Sequence, residues 1–306
     1  AFIGGTNATS NTLAGKTFGI PVKGTHSHSW VMSFNDEEES FLEFAKVLPD
    51  FTIFLVDTYD TIEGVKKAIN VGRILKSQGK KLIGVRLDSG DLAYLSIEAR
   101  KLLDKAGFTD TQIFASNDLN EKIISSLKTQ GAQIGVWGVG TQLITAYDQP
   151  ALGGVYKLTA LKKNNSDLFE HRIKISEQAI KTSTPGILQV RRYSSKGQFI
   201  ADMIFDELTP IQKDPLEIID PTDPTRFRTL ENDLTVENLL VPIFENGACV
   251  YKSPTLLDIQ THTLKQVSCL HPGIKRLDNP HHFPAGIERH LYDRKMNLIL
   301  EKKKKK

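Results

Sequence analysis

Two imidazoles stand two residues apart in Gly24-Thr25-His26-Ser27-His28-Ser29. In extended backbone such a pair points to one face. An imidazole there can ligate a metal, move a proton or act as a nucleophile. Structural, hydrogen-bonded histidines are the competing reading. Arg86-Leu87-Asp88-Ser89-Gly90-Asp91 packs one cation and two carboxylates into six residues. Gly90 permits a tight turn. The carboxylates suit vicinal ribose hydroxyls or Mg²⁺, whose ligands are oxygens. Arg86 suits a carboxylate or phosphate through its planar fork. Ser89 or Asp91 is also fitted to cap a following helix. Asp57-Thr58-Tyr59-Asp60 adds two carboxylates, one of them able to orient His28 or bind Mg²⁺, with Asp60 and Thr61 also suited to capping. In Gly138-Val139-Gly140-Thr141, two glycines let backbone N–H groups converge on an anion and Thr141 adds a hydroxyl; a plain turn is the alternative. Ser116-Asn117-Asp118 reads as a helix N-cap as readily as a ligand loop.

These groups share one place, just after a short apolar run. The runs at 20–24, 52–57, 82–87, 112–115 and 134–137 read as strands, mostly without polar alternation, as expected for strands buried on both faces. Helical patterns at 37–47, 62–77, 92–105 and 119–129 follow the first four. The repeat of roughly 25 to 30 residues is that of a βα unit. A parallel sheet wound by helices results, either a barrel or a doubly wound sheet. In both, ligands bind beyond the carboxyl ends of the strands. Five strand ends delivering polar groups to one rim is a stronger signal than any single motif.

After about Leu161 the texture changes. Asn164-Asn165-Ser166-Asp167 is a turn cluster. Strand-like pieces follow at 186–193, 199–205 and 240–244; Pro and Asp punctuate 215–224, and a helical pattern covers 288–300. The expected domains are therefore 1–160, a βα region carrying the polar loops; 161–300, a β-rich region closing on a helix; and 301–306, a lysine tail. Arg191-Arg192 reads as a solvated strand edge, and His281 and His282 as loop residues.

The chain has 306 residues, with 39 Lys and Arg against 36 Asp and Glu. Lys302 to Lys306 account for the basic excess, so the body is near neutral. That argues against a nucleic-acid-binding body, and the lysine run reads as a solvated, disordered tail. No apolar run reaches the roughly 18 residues of a membrane span. Cys249 and Cys269 make neither a disulfide framework nor a metal site, which points to a reducing, cytoplasmic setting. The chain opens Ala1-Phe2-Ile3-Gly4-Gly5, with neither initiator Met nor signal-peptide pattern, as a chain beginning inside a longer one does.

The segments from Phe2 to Asn11 and Phe18 to Trp30 together resemble nicotinate phosphoribosyltransferases. Val56-Asp57-Thr58-Tyr59-Asp60, the Arg86 hexad, Ser116-Asn117-Asp118-Leu119, Gly138-Val139-Gly140-Thr141 and Pro150 to Tyr156 extend the resemblance. It is dense over 1–160 and looser beyond, where Asn246-Gly247 and Lys275 to Pro280 still match. The resemblance implies an incomplete irregular (β/α) barrel of the type II phosphoribosyltransferase kind, beside a second, β-rich α+β domain. It implies an enzyme of NAD biosynthesis that couples nicotinate to phosphoribosyl pyrophosphate, giving nicotinate mononucleotide and pyrophosphate. ATP hydrolysis through a phosphohistidine and Mg²⁺ are implied, as is a homodimer.

Residue by residue, the resemblance makes His28 the phosphorylated histidine and leaves His26 without a catalytic role. Gly24 and Ser29 line its loop, with Asp57 beside it. Arg86 faces the nicotinate carboxylate or a phosphate. Asp88 faces ribose hydroxyls or the metal-bound substrate, with Ser89 and Asp91 next to it and Asp88 and Asp91 as metal ligands. Asn117, Gly138, Gly140 and Thr141 hold the 5′-phosphate. Thr6-Asn7-Ala8 lacks the carboxylate that a nicotinamide-using relative would place near the base. The alternatives are such a relative, or an inactive fragment binding nucleotide or a partner chain. A barrel aldolase would need a Schiff-base lysine at a strand end, where Lys23 is the one nearby candidate. Relatives carry an N-terminal segment that this chain lacks, so the barrel is expected to be missing its first strands.

Overall fold

The computed structural model describes residues 1–304 except 165, 167, 179, 180, 212 and 213. Lys305 and Lys306 of the lysine run, and Asn165 and Asp167 of the turn cluster, therefore lie outside the described residues. The chain divides into two compact units, Ala1–Leu152 and Gly153–Lys306.

The first unit is built on β1 (Ile53–Leu55), β2 (Gly84–Leu87), β3 (Gln112–Ala115) and β4 (Val136–Trp137), all parallel and paired in the order β1-β2-β3-β4. Helices α1 (Thr12–Phe18), α2 (His28–Met32) and α3 (Glu37–Val47) precede the sheet. Helices α4 (Thr61–Ser77), α5 (Leu92–Lys105), α6 (Glu121–Thr129) and α7 (Thr141–Ile144) each follow one strand. Strand order that runs with the sequence, without reversal, is that of a barrel wall; a doubly wound sheet would reverse at a switch point. The unit is thus an open part of a (β/α) barrel.

Local chemistry sets the element boundaries. Asp60, Asp91 and Asn120 each accept a backbone N–H three residues on, starting α4, α5 and α6. Helix α4 turns Val65, Ala68, Ile69, Val71 and Leu75 to the sheet, where Phe54, Leu55, Val85 and Leu87 are fully buried. Burying each large apolar side chain contributes about 1.5–3 kcal/mol. The first turn of α4 lies so close to the end of β1 that a Cβ on Gly64 would sit 2.0 Å from the Val56 carbonyl oxygen.

The run 20–24 is not a strand. It makes one isolated parallel bridge, Val22 to Thr9. Pro21 has no N–H to give a ladder and only accepts, from Thr9 N–H at 2.9 Å.

In the second unit β5 (Ala160–Lys162) and β6 (Phe169–His171) form a small hairpin-like pair. A six-stranded sheet takes the order β10-β9-β14-β8-β7-β11. Its strands are β7 (Leu188–Ser195), β8 (Gln198–Asp206), β9 (Leu216–Ile219), β10 (Phe227–Leu230), β11 (Thr235–Asn238) and β14 (Ala285–Glu288). Strand β9 forms inside the Pro- and Asp-punctuated stretch. The 240–244 run fails as a strand because Pro242 interrupts it; only Phe244 pairs, in the two-residue β12 (Phe244–Glu245) against β13 (Ala248–Cys249). Helix α8 (Leu256–Ser268), absent from the sequence expectation, starts at a reciprocal Thr255–Asp258 capping box.

Helix α9 (Arg289–Lys304) carries Lys302, Lys303 and Lys304, so these lysines are helical rather than a disordered tail. Lysine is a good helix former, and cations favour a helix's last turn. Strand β7 lies inside the sheet, so Arg191 and Arg192 are not at an edge. Arg192 forms a two-pronged pair with Asp202 at 2.8 and 2.7 Å and lies over Phe199. Cys249 and Cys269 are free. Among the described residues no helix is long and apolar enough to cross a membrane.

The Gly64 contact gives a direct test of how the first unit packs. Gly64→Ala should force α4 off β1 and cost about 2–3 kcal/mol, the scale of an overpacked core. Chemical denaturation of the variant measures it; an unchanged midpoint would contradict this packing.

Candidate active site

The site is assembled where the strands end. Asp57 follows β1, and its side chain is 1% exposed. Its Oδ2 accepts the Asp88 N–H at 2.8 Å and the Ser89 hydroxyl at 2.7 Å, tying the β1 and β2 loops together. Its Oδ1 is buried with no hydrogen-bond partner.

His28 opens α2 with its imidazole facing this carboxylate. Nε2 lies 4.0 Å from Asp57 Oδ1 and 3.6 Å from Asp88 Oδ2, and Nδ1 lies 3.1 Å from Thr58 Oγ1. The side chain is 39% exposed, so it is both held and reachable.

Arg86 donates from Nε to Ser116 Oγ at 3.1 Å and from one terminal nitrogen to Thr25 Oγ1 and the His26 carbonyl. Its other terminal nitrogen is 3.5 Å from Asp88 Oδ2. Ser116 in turn donates to Asp88 Oδ1.

His26 takes a different environment. It is 6% exposed, edge-on to Phe44 at 4.9 Å and near Phe41 and Phe54. Leu55 N–H donates to its Nε2 at 3.2 Å, so the ring proton sits on Nδ1, 3.4 Å from the Ser27 carbonyl. Burial, reinforced by the nearby Arg86 and His28 charges and opposed by the Ser27 carbonyl, lowers its pKa to about 4. It is a neutral core histidine.

The structure thus brings His28, Asp57, Arg86, Asp88 and Ser89 together. Ser29 stands apart, exposed and sharing a 2.7 Å hydrogen bond with Ser27. Gly24 is exposed, with open space around it. Asp91 caps α5, accepting Tyr94 N–H at 3.0 Å. Ser116-Asn117-Asp118 is not the cap of α6; Asn120 is. Asn117 and Asp118 have φ of 90° and 38°, outside the helical region, and turn the chain sharply at the end of β3. Gly138 lies against Ser116, where a Cβ would come within 3.4 Å of the serine's own. Gly140 precedes α7 and Thr141 opens it, both exposed. Sequence reasoning missed Thr25 and Thr58 as partners and left Ser116 open between a cap and a ligand loop; a hydroxyl beside a strand end was the only signal for each.

The nicotinate phosphoribosyltransferase family model matches residues 2–233, and the model of that enzyme's C-terminal domain matches residues 189–295. The chain belongs to this family. A nicotinate phosphoribosyltransferase of Bacillus subtilis is 44% identical over 99% of this chain and 62% of its own length. One of Dictyostelium discoideum is 32% identical over 98% of this chain and 59% of its own. The crystal structure of human nicotinic acid phosphoribosyltransferase superposes with a TM-score of 0.75 at 23% identity, over 97% of this chain and 66% of that one. That likeness is one of fold. The chain spans about three fifths of the length of the curated relatives it matches.

His26 makes the stability of this family member depend on pH. The unfolded chain binds a proton near pH 6.5, whereas the folded one resists it down to about pH 4. Between those values the unfolded state holds more protons, so stability rises with pH, by about 3 kcal/mol across the window. Above pH 6.5 this contribution is fully present. Denaturation measured from pH 4.5 to 7 should show the slope, and His26→Phe should flatten it; an equal slope in both would contradict the assignment.

Proposed function

We propose that the protein of which this chain is part is a nicotinate phosphoribosyltransferase, joining nicotinate to phosphoribosyl pyrophosphate with ATP-dependent phosphorylation of His28. The observation that carries this reading is the setting of His28: one ring nitrogen held by Thr58, the other facing Asp57 and Asp88, on a half-exposed side chain. The relatives' names supply the reaction class.

In the proposed reaction the pyridine nitrogen attacks the anomeric carbon and pyrophosphate leaves. Charge develops on the ribose ring, so positioning and charge stabilisation matter most. Asp88 lies on the rim to receive ribose hydroxyls. Arg86 commits Nε and one terminal nitrogen to Ser116, Thr25 and the His26 carbonyl, which leaves the other terminal nitrogen, 3.5 Å from Asp88 Oδ2, and the planar face for nicotinate's carboxylate or a phosphate. Asn117, Gly138, Gly140 and Thr141 are proposed to hold the 5′-phosphate from the ends of β3 and β4. Phosphorylated His28 would place negative charge near the developing cation, and its turnover would drive the equilibrium toward mononucleotide.

Mg²⁺ fits these residues. The unpartnered oxygen of Asp57 and the part-exposed Asp88 are hard oxygen donors. Such an ion would be shared between one or two carboxylates and substrate phosphates. When bound, it would neutralise pyrophosphate charge. Asp91, expected beside Asp88, already uses one oxygen as a cap.

The test offers nicotinate and nicotinamide separately, with phosphoribosyl pyrophosphate and Mg²⁺, with and without ATP. It uses this chain and a version extended to its relatives' length. Nicotinate-specific, ATP-stimulated mononucleotide is expected. His28→Ala should lose the ATP stimulation, and full stimulation in that variant would sink the phosphohistidine reading. Product from neither base would favour a nucleotide- or partner-binding fragment.

A further inference from the structure

We propose that Ser116 is a positioning residue that locks Arg86 and Asp88 into one working geometry, a role that rests on the proposed transferase reading. Its hydrogen bonds allow one arrangement. A guanidinium has no acceptor, so Ser116 Oγ accepts from Arg86 Nε, at 3.1 Å. A hydroxyl has a single proton, and Ser116 gives it to Asp88 Oδ1.

The relay therefore fixes both partners. Asp88 Oδ1 is engaged, and Oδ2 is the oxygen turned to His28 Nε2 at 3.6 Å and to Arg86 at 3.5 Å. Arg86 is aimed by Nε and cannot swing toward solvent without leaving Asp88 Oδ1 with a hydroxyl that has lost its orienting donor. Ser116 is itself anchored by its N–H on the Leu87 carbonyl at 2.9 Å and by Gly138 packed beside its Cβ. The next residue, Asn117, has left extended geometry at φ 90°, so the serine sits between the end of β3 at Ala115 and the turn. Positioned groups of this kind are sensitive: a misplacement of about 1 Å can cost roughly a hundredfold in rate.

The test is Ser116→Ala, made in whichever version of the protein forms mononucleotide. The fold should survive, with a melting midpoint close to that of the parent, because no apolar packing is lost. Turnover should fall roughly ten- to a hundredfold. In an Arg86→Lys background, where the Nε–H donor is already gone and only the bond to Asp88 remains to be lost, the same change should cost less than in the parent, since effects of coupled residues are not additive. An unchanged rate, or an equal cost in both backgrounds, would overturn the proposal.

A second readout does not depend on the reaction. The Arg86 Nε–H signal in ¹⁵N-resolved NMR should be slowed in exchange in the parent and fast in Ser116→Ala. Equal exchange in both would also overturn the positioning role. Absence of mononucleotide from every version, with the Arg86 signal behaving as expected, would instead defeat the transferase reading and leave the relay standing.

Discussion

The buried carboxylate of Asp57 is the constraint from which the rest of the site follows. One of its oxygens takes two donors from the β2 loop, Asp88 N–H and the Ser89 hydroxyl, and so fixes where that loop can run. Hydrogen bonds to a charged acceptor are about twice as strong as neutral ones. Once Asp88 is placed, Ser116 joins β3 to it, and Arg86 draws in the Thr25-His26 segment ahead of α2. Four stretches far apart in sequence are stitched at one rim. The other Asp57 oxygen accepts no hydrogen bond and has only the His28 ring nitrogen at 4.0 Å, and a buried oxygen without a hydrogen bond costs about 1–3 kcal/mol. A fold selected for stability alone would supply a donor; a site that admits a cationic or hydrogen-bonding ligand would leave it open.

Burial decides what two histidines of identical spacing do. His26 accepts a backbone N–H among three phenylalanines and is neutral, which makes it a packing element. His28 lies one helix start further on, between a hydroxyl and two carboxylates. The buried ring anchors the segment from which the exposed ring projects. Gly64 contributes at longer range, because α4 can close on β1 only where no Cβ intervenes, and β1 leads directly into Asp57.

Much of this was legible in the sequence because it is local. The βα rhythm follows from apolar runs and capping residues, and β2, α5 and the hexad between them fall where short-range patterns put them. What was not legible is long-range. Thr58 and His28 are 30 residues apart, Ser116 and Asp88 are 28, and Arg86 and Thr25 are 61. No spacing rule announces such pairs. Pro21 and Pro242 were the local signals passed over in the two runs that failed as strands. In the second unit β14 enters between β8 and β9 from some 65 residues downstream, parallel to one and antiparallel to the other. Such an order is set by tertiary packing, not by pattern.

His28, and not His26, is proposed as the reactive imidazole of this rim. Phosphoryl transfer from γ-labelled ATP, followed by peptide mapping under conditions that preserve phosphohistidine, tests it most directly. Label is expected on His28, with its loss in His28→Asn and none on His26. Label on His26, or label undiminished in His28→Asn, would contradict it.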